Sequence, residues 1–315
     1  MNSDKPAVHY LTVETFDQGQ RVDNYLLKHL KGLPKSIVYR ILRKGEVRVN
    51  KGRVKPDYRV AVGDVIRVPP VRLAKPNQTV PPSAKVLRAL EAAILFEDDK
   101  LLVLNKPAGL PVHGGSGLSY GVIEALRALR PHLEGLELVH RLDKDTSGCL
   151  LLAKKRSVLK ELHDMLRTGE VQKIYFALVK GRWPAKLKVI EAPLIKNQLS
   201  SGERIVKVHP DLGKYAKTQF TPVQHYPNAT LVEASPITGR THQIRVHALH
   251  AGHPLAGDDK YGNEEFNQWL RGQGSKRLFL HAARLSFKLA SSGQRYEFKA
   301  DLPQDLQQLL KALAN

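Results

Sequence analysis

The sequence predicts an α+β protein, with a small basic N-terminal domain and a larger domain built on a mixed, mostly antiparallel sheet with flanking helices. Three observations carry this reading. The 315 residues suffice for two domains, each with its own core. Five prolines between residues 69 and 85, with Asn, Gln and Ser among them, have the composition of a stiff, extended linker. Beyond them, strand-like and helical patterns alternate without a regular βαβ period, which favours an antiparallel sheet. The expected division is a first domain over 17–70, a linker over 71–87 and a second domain over 88–315.

Each element has its own signal. Val22, Tyr25, Leu26 and Leu30 recur at helical spacing and predict a helix over 20–31. A second helix starts near Pro34, a residue favoured in the first helical turn. Its core side is Ile37, Val38, Ile41 and Leu42, which leaves Lys35, Arg40, Arg43 and Lys44 outside, and Gly45 ends it. Short strands follow at Glu46–Asn50 and Val65–Val68. In the second domain, strands are predicted at Ala93–Phe96, Leu101–Leu104, 173–180, 218–225, 230–235, 278–281 and 295–300. Helices are predicted at 119–130, 157–168, 241–251 and 303–313.

The formal charge of +20 and the pI near 10.0 point to a polyanionic partner. Residues 1–75 hold sixteen Lys or Arg against seven Asp or Glu, so about a quarter of the chain carries nearly half of the excess. Nucleic acid fits better than a membrane, because no basic amphipathic anchor or lipidation motif is present. No stretch approaches the roughly 18 apolar residues of a membrane span, and the polar Met1–Lys5 opens no signal region. The single cysteine, Cys149, excludes an internal disulfide and is expected as a small buried hydrophobe in a cytoplasmic protein.

Four blocks carry candidate chemistry. In His140-Arg-Leu-Asp-Lys-Asp-Thr-Ser-Gly148, a polar loop feeds an apolar run. Asp145 precedes Thr-Ser-Gly and is suited to accepting backbone hydrogen bonds in a turn, which leaves Asp143 as the candidate reactive carboxylate. Arg141 could be a phosphate contact or a stacking group. Lys173-Ile-Tyr175 opens a strand in which Tyr175 could equally be core. In Gly239-Arg-Thr-His-Gln-Ile-Arg-Val-His247, Arg240 and Arg245 bracket a helix start, and Ile244 is either helix core or a ligand contact. His242, His247, His250 and His253 raise the question of a metal, but they lack His-Glu-x-x-His spacing and a cysteine pair, so none is expected. The glycines of His113–Gly117 form neither a P-loop nor a dinucleotide fingerprint and read as a mobile loop.

These blocks resemble the signatures of RluA-type pseudouridine synthases, and residues 17–68 resemble an S4 RNA-binding domain. The S4 likeness rests on Gly19-Gln-Arg-Val-Asp, Arg40–Asn50 and Val62-Gly-Asp-Val-Ile66. The synthase likeness adds Leu104-Asn-Lys-Pro107, His253–Gly262 and Leu278–Phe287, so it covers nearly the whole chain in a specific order. Leu33-Pro-Lys-Ser, His113–Ser119 and Ser201–Val206 are closest to the branch of that family acting on large-subunit rRNA.

The resemblance implies an isomerase that turns specific uridines of 23S ribosomal RNA into pseudouridine without cofactor or metal, and a monomer is expected. It implies that Asp143 is the nucleophile, that Arg141 fills the gap left by a flipped nucleotide, and that Tyr175 packs on the target base. It further implies that Arg245 pairs with the aspartate and that Ile244 touches the base. His140 and Lys173, in the same blocks, are expected at the RNA, as are Arg40, Arg43 and Lys44 of the basic helix through phosphate contacts. Two other classes compete: a non-catalytic ribosome-binding factor, which would not need Asp143, Tyr175 and Arg245 together, and a nucleoside or glycoside hydrolase. The latter needs two facing carboxylates, whereas Asp143 and Asp145 would point apart on an extended segment.

Overall fold

The structure, a computed structural model, describes residues 7–30, 32–71, 81–114, 120–133, 135–198 and 204–315. Chain contacts divide it into two units, Met1–Pro81 and Pro82–Asn315. Most of the expected linker, residues 72–80, lies outside the described residues, as do 115–117 of the glycine-rich stretch and 201–203 of Ser201–Val206.

The first unit contains β1 (His9–Thr12), α1 (Val22–His29), α2 (Lys35–Arg43), β2 (Arg48–Val49), β3 (Gly52–Arg53) and β4 (Val65–Val68). Its strands pair antiparallel in the order β1-β4-β2-β3. The amphipathic pattern of α2 holds: Val38, Ile41 and Leu42 are buried, while Lys35, Arg40, Arg43 and Lys44 are exposed. Pro34 caps the helix rather than entering it, with φ −56° and ψ 140°. Asn50 and Lys51 both take positive φ, 47° and 71°, which the tight turn between β2 and β3 requires.

The second unit runs α3 (Ala84–Ala92), β5 (Ile94–Glu97), β6 (Leu101–Lys106), α4 (Val122–Leu129), β7 (Glu137–Leu138), β8 (Ser147–Ala153), α5 (Arg156–Thr168) and β9 (Gln172–Lys180). It continues with β10 (Val189–Glu191), β11 (Leu194–Gln198), β12 (Arg204–Val208), β13 (Lys217–His225), β14 (Ala229–Pro236), α6 (Gln243–His250), α7 (Glu264–Gly272), β15 (Leu280–Lys288), β16 (Arg295–Lys299) and α8 (Gln304–Ala314). One large sheet has the order β10-β13-β14-β9-β15-β8-β6-β5, with β16 added to β15 and β7 to β8. Among the described pairs only β15 with β8 is parallel, so the sheet is mixed and mostly antiparallel. β11 and β12 form a separate hairpin.

The parallel contact positions the loop 140–146. Every residue of β8 is buried, so the strand is a rigid base for the loop that precedes it. Gly148, at φ +110°, lies where β8 meets β15, and a Cβ there would collide with the carbonyl of Ala282. Gly148→Ala therefore combines a disfavoured backbone with a clash against main chain. We expect a loss of about 2–4 kcal/mol, read as a lower denaturant midpoint with an unchanged slope. Cys149, next in the strand, is buried as expected, and burial pushes its thiol up to about 12.

Candidate active site

Asp143 sits at the mouth of a tight turn. The segment is not extended: the Thr146 N–H donates to the Asp143 carbonyl at 3.2 Å, and the chain reverses at Lys144–Asp145. Backbone closes this turn where a carboxylate cap by Asp145 was expected, and Asp145 is exposed. Two tethers hold the loop. The Leu151 N–H donates to His140 Nε2 at 3.1 Å, and burial brings that imidazole down to about 4, so it is neutral at pH 7. From behind, the fully buried Lys106 donates to the carbonyls of Pro107 (2.8 Å), Leu110 (2.9 Å) and Lys144 (3.0 Å). Burial draws its amine down to about 7, against the pull of Asp145 and Asp143. Three carbonyls around one nitrogen nevertheless suit the three donors of an ammonium, and we read Lys106 as charged.

Lys106→Met keeps the stem and removes every donor, stranding three carbonyls. The expected cost is about 2–4 kcal/mol of stability. Turnover should fall too, because Lys144 adjoins Asp143. Chemical denaturation alongside a turnover assay separates the two effects.

A cavity of about 460 Å³ opens at Asp143, lined also by Arg141, Lys173, Tyr175, Ile244 and Arg245. Tyr175 lies mid-strand on β9, opposite Ala234 on one side and Ala282 on the other, so its cross-strand neighbours are small, and its buried ring lines the cavity. Burial first, and then the Asp143 charge, push its phenol above the ordinary value near ~10. That environment suits an apolar ring face and a hydroxyl donor, not a base. Lys173, two residues earlier, lines the same cavity, and burial lowers its amine. Ile244 is buried in the sheet core and also lines the cavity.

Arg245 organises the charges. Its Nε and Nη2 donate to Asp258 Oδ2 and Oδ1, each at 2.7 Å, and its Nη1 donates to Asp143 Oδ2 at 3.3 Å. Its guanidinium carbon stands 5.0 Å from the Tyr261 ring centre. The buried Asp258 also accepts from the N–H groups of Lys260 (3.0 Å) and Tyr261 (2.9 Å). Burial works against this carboxylate, but Arg245 and those two N–H groups keep it below the ordinary carboxylate range. Conversely, Asp258 and then Asp143 raise the guanidinium despite its burial. The fork is thus fixed on Asp258 and reaches Asp143 with its spare nitrogen.

The sequence model for RNA pseudouridylate synthases matches residues 100–250, and that for the S4 domain matches residues 20–66. The ribosomal large subunit pseudouridine synthase C of Yersinia pestis is 58% identical over 315 residues, covering 99% of this chain and 98% of its own. This chain belongs to the RNA pseudouridylate synthase family. The enzyme of the same name from Haemophilus influenzae is 56% identical over 98% of this chain and 95% of its own. The solved structure of human RNA pseudouridylate synthase domain containing 4 superposes with a TM-score of 0.60 at 28% identity, covering 73% of this chain and 96% of that one.

In this synthase Asp143, Tyr175, Arg245, Ile244, Lys173, His140 and Arg141 meet at one cavity although 105 positions separate the first and last of them. Arg141 is exposed beside the cavity, while His140 is a loop tether as well as a lining residue. Arg40, Arg43 and Lys44 belong to the first unit. Sequence reasoning gave no role to Asp258, Tyr261 or His242. The first two lay in the block His253–Gly262, whose two adjacent carboxylates were a usable signal. The histidines do not converge: His242 meets Tyr261, His247 meets Thr218 and the Ala192 carbonyl, and His253 meets the Lys180 carbonyl.

Proposed function

We propose that this pseudouridine synthase acts on uridines of 23S ribosomal RNA in the cytoplasm, as a monomer that needs no metal or cofactor. The isomerisation is redox-neutral: the N1–C1′ bond breaks, the base turns, a C5–C1′ bond forms, C5 loses a proton and N1 gains one. The observation that carries the reading is Arg245, locked on buried Asp258 and donating to Asp143 inside a cavity that also holds Tyr175. A flipped uridine enters the cavity and packs on Tyr175 and Ile244. Asp143 engages the ribose as the N1–C1′ bond breaks. Arg141, exposed at the cavity, stacks in the vacated duplex position, offsetting part of the few kcal/mol (about 2–4) that extrusion costs. No helix among the described residues is long and apolar enough to cross a membrane. Mapping pseudouridine in rRNA from cells with and without the protein tests this, and an unchanged map would refute it.

Residues 17–70 form the RNA anchor in this reading, with 71–87 as linker and 88–315 as catalytic domain. Arg40, Arg43 and Lys44 hold phosphates from the exposed side of α2 and its end. Changing all three to alanine should weaken rRNA binding and flatten the salt dependence by roughly 0.7–0.9 per lost contact. Turnover at saturating RNA should stay near wild type. A salt titration of binding checks this.

A further inference from the structure

His242 makes an arrangement that the reaction scheme above does not use. It stands immediately before α6 with φ +53° and ψ 21°, a left-handed backbone that side-chain-bearing residues rarely adopt. Its Nδ1 lies 2.8 Å from the Tyr261 hydroxyl, and its Nε2 lies 3.8 Å from Asp143 Oδ2, the oxygen that also faces Arg245. The Tyr261 oxygen already accepts the Val206 N–H at 2.9 Å. The Tyr261 hydroxyl still has its own proton to place, and His242 Nδ1 is an acceptor within 2.8 Å; an Nδ1 that accepts it leaves the imidazole proton on Nε2, facing Asp143. Burial lowers the imidazole pKa. Of the charges facing it, Asp143 and Asp258 oppose that effect while Arg245 and Lys260 reinforce it, and the ring is neutral at pH 7.

We propose that His242 is a positioning residue for the Asp143 carboxylate: Tyr261 locks its imidazole as the Nε2–H form, and the left-handed backbone aims that N–H at Asp143 Oδ2. This rests on the reading of Asp143 as the reactive carboxylate. A neutral donor holds the carboxylate's orientation without adding the second cation that would blunt its nucleophilicity. At 3.8 Å the contact is electrostatic, and a closure of about 1 Å with substrate bound would make it a hydrogen bond. Val206 lies on β12, so the hairpin β11–β12 supplies the outermost member of the relay.

The test uses the full-length protein and single-turnover assays on rRNA. His242→Ala should slow the chemical step about tenfold while leaving RNA affinity within about twofold. His242→Gln should recover most of that rate, because its amide N–H reaches the region of the imidazole Nε2–H. Ala and Gln bear the same backbone strain at this position, so their difference reports the side chain. Tyr261→Phe should slow the wild-type enzyme but add nothing to His242→Gln, since an amide has no tautomer to set. Nitrogen-15 NMR of the histidines should show His242 protonated at Nε2 in the wild type and at both positions, in a mixture, in Tyr261→Phe. Equal rates for folded His242→Ala and wild type, equal rates for folded Ala and Gln variants, or an Nδ1–H signal in wild type would each overturn the proposal. If Asp143→Asn is inactive and His242→Ala is not impaired, only His242 is misassigned. If Asp143→Asn keeps turning over, the reading beneath it fails first.

Discussion

Asp143→Asn is expected to bind rRNA and stay folded, yet to form pseudouridine at least about a thousandfold more slowly than wild type. The substitution keeps the shape of the side chain and removes its negative charge. Stability should change little, because the loop is held by main chain and by tethers other than this carboxylate: Thr146 N–H on the Asp143 carbonyl, Lys106 on the Lys144 carbonyl, and His140 on the Leu151 N–H. Arg245 loses a 3.3 Å contact but keeps its two 2.7 Å bonds to Asp258. A thermal melt, an rRNA binding curve and a single-turnover assay on the same preparation check the three parts. Turnover within tenfold of wild type in a clean preparation would remove Asp143 from its assigned role.

The legible part of the fold was the part with a one-dimensional period. Helix α2 showed its core side and its cations in nine residues, and β8, buried on both faces, read as an unbroken apolar run. The α+β class and the mostly antiparallel sheet followed from the order of such runs. Elements set by capping or by pairing did not show. Helix α3 depends on Ser83, whose hydroxyl accepts the Val86 N–H, and α7 on Asn263, whose side chain accepts the Phe266 N–H. Strand β15 was expected only at 278–281, because Arg284 interrupts its apolar pattern, and it runs on to Lys288. His281 within it is buried, since Ser147 and the Ala300 carbonyl satisfy both ring nitrogens.

The site divided along the same line. Asp143, Tyr175 and Arg245 were visible as residue types in distinctive blocks, although the blocks alone could not say that they meet. The orientation of Arg245 was not visible. A pairing with Asp143 was expected, and that contact exists, but the fork's principal partner is Asp258, thirteen positions along the chain. His242 was weighed only as a metal ligand, because a left-handed backbone and a tyrosine nineteen positions away leave no periodic trace.

That geometry sets the outcome for Arg245→Lys. Lysine keeps the charge, but its single nitrogen cannot span both oxygens of Asp258 and also reach Asp143. It will stay with Asp258, because a buried carboxylate left unpaired costs about 3–5 kcal/mol, whereas Asp143 is partly solvated at the cavity. The variant should therefore fold, with about 1–2 kcal/mol lost for the weaker pairing. Asp143 would lose its donor, and the chemical step should slow by about two orders of magnitude, with RNA affinity within a few-fold of wild type. Arg245→Met should do worse on both counts, since it strands Asp258 as well. Measuring stability and single-turnover rate together decides between the two ways Arg245 could matter. A rate that falls only in proportion to the folded fraction would make the arginine a structural tie to Asp258. A rate loss in fully folded Arg245→Lys would show that its third nitrogen works on Asp143.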